Sequence, residues 1–278
     1  MTRPVASRRR ARLIRLAELT APEAGKLARD PKVVVILPLG AIEQHGPHLP
    51  LLVDWLGAQE LARVIAPYLS RAGWRPVLAP SLPYGVSPLA EDWSGTVSLS
   101  IPTLRRVVAE IIRGLARHGF RRFVLANYQA DPGHLRAMAL IQRDAERRRH
   151  VQVLFAGFAP DDSGKAMLDP RVTALLRSPR PEREWHSGEL ETAMMLAVRP
   201  GLVRRALAHR LPPAWVDVKR ALEAGQTTFK KMNPRGRGYF GWPAVARAET
   251  GRAALRLRAR LISRELISAL GSWRPSRS

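Results

Sequence analysis

Glu43, His45 and Asp54 fall in the stretch Pro38-Leu39-Gly40-Ala41-Ile42-Glu43-Gln44-His45-Gly46-Pro47-His48-Leu49-Pro50, with Asp54 four residues on. The stretch packs carboxylates and imidazoles into a loop punctuated by Gly and Pro. In an extended backbone Glu43 and His45 project to the same side, and Asp54 can fold back across the loop to meet them. Oxygen and nitrogen donors of this kind suit Zn, Mn or Fe. The chain has no cysteine, so disulfides and thiol nucleophiles are excluded and any metal must be held by His, Asp and Glu. The plainer alternative is a polar loop that satisfies only its own hydrogen bonds. Three ligand types recurring at this spacing favour the metal.

The elements that must position these residues follow from apolar periodicity. Val33 to Leu37 reads as a buried strand ending at the loop. Thr20-Ala21-Pro22-Glu23 has the form of a capping box, opening a short helix to about Ala28. Asp54 to Leu69 has a helical period, a strand follows near Pro76 to Ala79, and Gly95 to Ser100 alternates as a strand. Pro102 to His118 is an amphipathic helix ending at Gly119. Arg122 to Ala126 is a second buried strand, leading into a loop from Asn127 to Gly133, a helix from His134 to about Arg148 and a strand from Val151 to Phe158. Residues 161–185 are irregular and rich in Pro, Asp and Arg, an excursion that could form a lid over a substrate. His186-Ser187-Gly188-Glu189-Leu190-Glu191-Thr192 then opens a helix, and a last helix spans about 250–270. This alternation predicts an α/β fold with a mostly parallel sheet covered by helices on both faces. Ligands in such sheets bind at the carboxyl ends of the strands, so the Glu43/His45 loop and the Asn127 loop should converge.

The 278 residues, 46% hydrophobic, suffice for one large domain, expected over 15–272 after a basic arm over 1–14 that holds Arg3, Arg8, Arg9, Arg10 and Arg12. The formal net charge of +23 invites a nucleic-acid partner, but the cations are spread along helix faces without interleaved aromatics, so nucleic acid is not expected. No apolar run approaches bilayer length, and a cytoplasmic setting without a membrane partner is expected.

Together these segments resemble the creatininase (creatinine amidohydrolase) family. The resemblance rests on the Pro38 to Asp54 stretch, Gly95-Thr96, the His186 to Thr192 segment, and Gly241-Trp242-Pro243 followed by Ala246 and Gly251, in family order. It implies a three-layer α/β/α fold, a homo-oligomer, often a hexamer, and one or two divalent metals that hydrolyse a small or cyclic, non-peptide amide. Members also occur as maturation enzymes for peptide-derived redox cofactors. Position by position, the resemblance makes Glu43, His45 and Asp54 metal ligands, with Asp54 bridging. It makes His186 the histidine that serves the leaving nitrogen, and Glu191 an acid that orients or binds at the site.

The chain departs from the family pattern at Asn127-Tyr128-Gln129-Ala130-Asp131. Gln129 stands where a histidine ligand is expected, and its neutral amide oxygen is a weaker donor. Asp131 stands where creatininase carries an acidic ligand, although before Pro132 it could equally cap the following helix. A sphere of Glu43, Asp54 and Asp131 with one imidazole leans towards Mn or Fe rather than Zn. Two functions stay open. One is a metal-dependent amidohydrolase; the other is a catalytically degenerate subunit or binding module of a larger enzyme complex or cofactor-maturation pathway. Among the remaining residues, His48 reads as loop packing, His118, His134, His150 and His209 as surface or cap residues, and Glu189 as compensation of the helix dipole.

Overall fold

The computed structural model describes residues 13–147 and 150–273. The expected basic arm therefore lies outside the described residues as far as position 12. Leu13 packs on the core and Ile14 belongs to the sheet. Five strands, β1 (Ile14–Arg15), β2 (Val33–Leu39), β3 (Arg75–Leu78), β4 (Arg122–Asn127) and β5 (Gln152–Gly157), form one sheet in the order β1-β3-β2-β4-β5, and every pairing is parallel.

The sheet is covered on both faces because β2 is apolar throughout, the interiors of β4 and β5 are apolar, and their side chains alternate between two cores. Val34, Ile36, Val124 and Ala126 pack with α2 (Val53–Arg71), α6 (Glu189–Val198) and α10 (Ala248–Ser272). Val33, Val35, Leu37, Phe123 and Leu125 pack instead with α3 (Ile101–Arg117) and α4 (Pro132–Glu146). The result is the expected three-layer α/β/α arrangement.

Helix boundaries follow local chemistry. Before α1 (Ala21–Ala28), the Glu23 carboxylate accepts the Thr20 N–H at 2.7 Å, as a capping box requires. Ser100 caps α3 by accepting the Thr103 N–H at 3.2 Å, and α4 begins at Pro132 behind Asp131. Short helices α5 (Pro170–Thr173), α7 (Arg205–Ala208), α8 (Val218–Glu223) and α9 (Phe229–Met232) interrupt the loops.

One expectation is corrected. The segment from Gly95 to Ser100 joins no sheet. The Val97 N–H goes to Ile42 O and the Leu99 N–H to Gly85 O, so its backbone is satisfied by loops beyond the strand ends. The excursion 161–185 is tied to the body by packing and hydrogen bonds. Its 3₁₀ segment Asp162–Leu168 and α5 bury Ala166, Met167 and Val172 in the same core as α10, and the Arg258 guanidinium of α10 donates twice to Met167 O.

Candidate metal centre

β2 and β4 are neighbours in register, with Leu39 opposite Asn127, so the loops that follow them leave the sheet side by side. That register brings Glu43 and Gln129 into contact. Asn127 turns the second loop by accepting the Gln129 N–H at 3.0 Å and donating to Gln129 O and Phe158 O, both at 2.8 Å. Gly40 allows the first loop to graze the start of α2, where a Cβ would lie 2.5 Å from Trp55 Cα. Asp54, in the first turn of α2, thereby reaches His45.

The third contributor is the start of α6. His186 is held by Phe240 through two backbone bonds, of 3.2 and 2.7 Å. Ser187 then turns the chain at φ 54°, a left-handed conformation uncommon outside glycine, and its N–H donates to Glu191 Oε2 at 2.6 Å. Glu191 consequently faces back towards the loop.

The side chains meet in a buried cluster. His45 Nε2 lies 3.5 Å from Asp54 Oδ1 and 3.6 Å from Glu191 Oε2, and His186 Nδ1 lies 3.8 Å from Glu43 Oε1. Among the described residues two donor groups are compact enough for an ion, His45 with Asp54 and Glu191, and Glu43 with His45 and His186. Proton positions follow from carbonyl partners, which only accept. His45 Nδ1 is 3.1 Å from Glu43 O, and His186 Nε2 is 2.9 Å from Gln44 O, nearer than the Gln44 side-chain nitrogen at 3.2 Å, so these nitrogens carry the protons. The lone pairs are left at His45 Nε2 and His186 Nδ1. His45 Nε2 and Asp54 Oδ2 are buried without a hydrogen-bond partner. Two unpartnered buried donors facing a third fit a cation, since such groups are costly to bury unless something binds them.

The electrostatics point the same way. Burial first, then the Asp54 carboxylate, raises the Glu43 carboxyl to about 8. Burial raises Asp54 well above its ordinary range. It also lifts Glu191 to about 7, with His45 pulling down and Asp54 pushing up. His186 is driven well below neutrality by burial and then by His45, and His48 to about 4 for the same reasons. Crowded acids and neutral imidazoles of this kind are what a bound divalent ion would relieve.

Of the candidates from the sequence, the fold brings together Glu43, His45, Asp54, His186 and Glu191. Gln129 and Asp131 line the same pocket, and Asp131 is not among the clustered carboxylate and imidazole donors. The Gln129 amide nitrogen donates to Glu43 Oε2 and, at 2.9 Å, to Ser87 Oγ, while its oxygen accepts the Asp131 N–H at 3.0 Å. Asp131 accepts the Gly133 N–H at 2.7 Å and the Leu89 N–H at 3.1 Å, so both oxygens serve backbone groups. Burial raises its carboxyl to about 6 against those same N–H bonds.

The reading of His134 as a surface or cap residue is corrected. His134 is fully buried and its Nδ1 accepts the Val86 N–H at 3.2 Å. The Glu189 carboxylate is likewise buried and accepts the N–H groups of Arg177 and Ser178, fastening the end of the excursion. His48 packs in the loop as expected, its Nε2 2.9 Å from Thr192 Oγ1. Gln44 carries no signal of its own in the sequence, yet it orients His186. Its side chain is locked by bonds of 2.9 Å to Gly238 O and from Gly46 N. Leu89, Tyr128, Phe158, Trp185 and Phe229 complete the pocket wall.

Comparison with known proteins places this arrangement. The sequence model of the family described as "Creatininase: Creatinine amidohydrolase" matches residues 17–266. The creatinine amidohydrolase of Pseudomonas putida is 32% identical over 248 residues, covering 80% of this chain and 89% of the relative. The mycofactocin precursor peptide peptidase of Mycobacterium ulcerans (strain Agy99) is 28% identical over 250 residues, covering 87% and 86%. A solved creatininase described as Mn superposes with a TM-score of 0.70 at 27% identity, over 93% of this chain and 99% of that one. A creatininase variant of Zn–Zn type gives 0.71 at 26% identity, over 94% and 99%. The family match runs through both sheet faces and every segment that builds the cluster, and this chain belongs to the creatininase family.

Proposed function

We propose that this chain is a metal-dependent hydrolase that cleaves the C–N bond of a small or cyclic amide. The observation that carries the reading is the pair of buried, unpartnered donors, His45 Nε2 and Asp54 Oδ2, beside Glu191 at the carboxyl end of a parallel sheet. A divalent ion bound there would supply a water-derived nucleophile at neutral pH and polarise the amide carbonyl.

The chain's own residues supply the rest. His186 is neutral, with its proton fixed on Nε2 by Gln44 O, so Nδ1 can take a proton and return it to the departing nitrogen. Glu43 lies beside Nδ1, and its raised carboxyl can share that proton. Gln129 and Ser87 hold Glu43 in place from the opposite side. The apolar wall of Leu89, Phe158, Trp185 and Phe229 offers flat surfaces to a compact amide.

A second reading is favoured by the likeness to a precursor peptide peptidase, in which the scissile amide belongs to a peptide on a cofactor-maturation route. Assembly into a homo-oligomer belongs to the proposal in either case. The test is hydrolysis by purified protein, before and after chelation, of a panel of cyclic amides and short peptides. Metal-dependent cleavage of the cyclic set supports the first reading and of the peptide set the second. A metal-loaded protein that cleaves neither sinks both and leaves a non-catalytic subunit.

A further inference from the structure

We infer that each chain holds one divalent ion rather than two, and that Gln129 is the residue that sets this limit; the inference rests on the metal-site reading above. The two donor groups share His45. Its Nδ1 proton is committed to Glu43 O, which leaves a single lone pair on Nε2, and one imidazole nitrogen binds one ion. The two groups therefore compete for one donor.

Hydrogen bonding decides between them. His45 Nε2 and Asp54 Oδ2 have no partner, and Glu191 Oε2 stands 3.6 Å from the same nitrogen, so the ion belongs with His45, Asp54 and Glu191. A second ion would have only Glu43 and His186 left to it. Glu43 turns Oε1 towards His186 and is held through Oε2, to which the Gln129 amide nitrogen donates. The Gln129 oxygen cannot substitute as a ligand while it accepts the Asp131 N–H, and the Asp131 oxygens are taken by Gly133 and Leu89. Where a second ion would need an anion and another nitrogen, the chain places an amide donor.

The experiment measures metal bound per chain. Purified full-length protein is stripped with chelator and titrated calorimetrically with Mn²⁺ and, separately, Zn²⁺, with elemental analysis after removal of free metal. Wild type is expected to bind one equivalent of either ion. Glu191→Gln should weaken that binding at least tenfold, and Asp131→Asn should keep one equivalent. Gln129→His, which trades the amide donor for a nitrogen lone pair and frees Glu43, should bind two. Two equivalents in wild type, or one in a folded Gln129→His, would overturn the inference while leaving the metal site standing. No metal in wild type would overturn the metal-site reading itself. The wild-type stoichiometry decides even if a variant does not fold, which circular dichroism checks.

Discussion

At the scale of single residues, the site is built from groups whose ordinary ionisation is suppressed. At neutral pH in the metal-free protein Glu43, at about 8, is mostly protonated and Glu191, at about 7, is protonated in about half of the molecules, chiefly because burial raises both. The ion's donor set includes Glu191, whose proton it must displace, so metal affinity should rise as pH climbs through about 7. The heat of metal binding should also vary with the ionisation enthalpy of the buffer; a buffer-independent heat would count against proton release. Linkage gives a second sign. A carboxyl raised in the folded state binds more protons there than when unfolded, so it favours the fold below its folded value and loses that effect as pH rises through it. The metal-free protein should therefore melt at progressively lower temperature from about pH 5 to about pH 8, and bound metal should flatten the trend.

At the scale of elements, the site depends on how closely α6 and α10 approach. Gly251 of α10 lies against the α6 backbone, and a Cβ there would come within 2.0 Å of Ala193 O. Glu191 sits on that same helix, so widening the crossing would carry it away from His45. Gly251→Ala should destabilise the fold by about 1–3 kcal/mol, as overpacking does, and should also weaken metal binding. Urea melts and metal titration check the two effects. A variant with unchanged stability and affinity would mean that the helices can slide without moving the site. Elsewhere α10 acts as a fastener. Arg258 is buried, holds Met167 O through two nitrogens and donates to Tyr128 OH at 3.1 Å, joining the excursion to the second site loop.

At the scale of the whole molecule, charge dominates. The formal net charge of +23 is what remains after every acid, including those in exposed ion pairs such as Arg106–Glu110 and Arg252–Glu249, has been counted. Like-charge repulsion should destabilise the compact state at low ionic strength, and screening should relieve it. The melting temperature is expected to rise by several degrees between about 0.01 M and about 0.15 M sodium chloride, where the screening length shortens roughly from 30 to 8 Å. A flat or falling profile would show that the positive charge is spread too thinly to matter. Among the described residues no helix is long and apolar enough to cross a membrane.

The sequence by itself determined the features that rest on neighbours along the chain. The unbroken apolar run of β2, the capping box before α1, and the meeting of Glu43 and His45 from a strand-end loop with Asp54 from the start of the next helix all follow from spacing, and the structure reproduces each. The same local logic misled at Gly95 to Ser100, where alternation looked like a strand but the available hydrogen-bond partners lie in loops. It placed His134 among surface or cap residues and could not show that Glu189 is buried, because the burial of both depends on which segments fold over them. Only the tertiary structure decided where each polar atom spends its hydrogen bonds. Gln129 and Asp131 have the chemical types of ligands, yet Gln129 donates to Glu43 and Asp131 accepts from two backbone N–H groups. Those partners come from elements far apart in the chain, and each lone pair or proton can be used once; that allocation is a property of the packed molecule and has no counterpart in residue spacing.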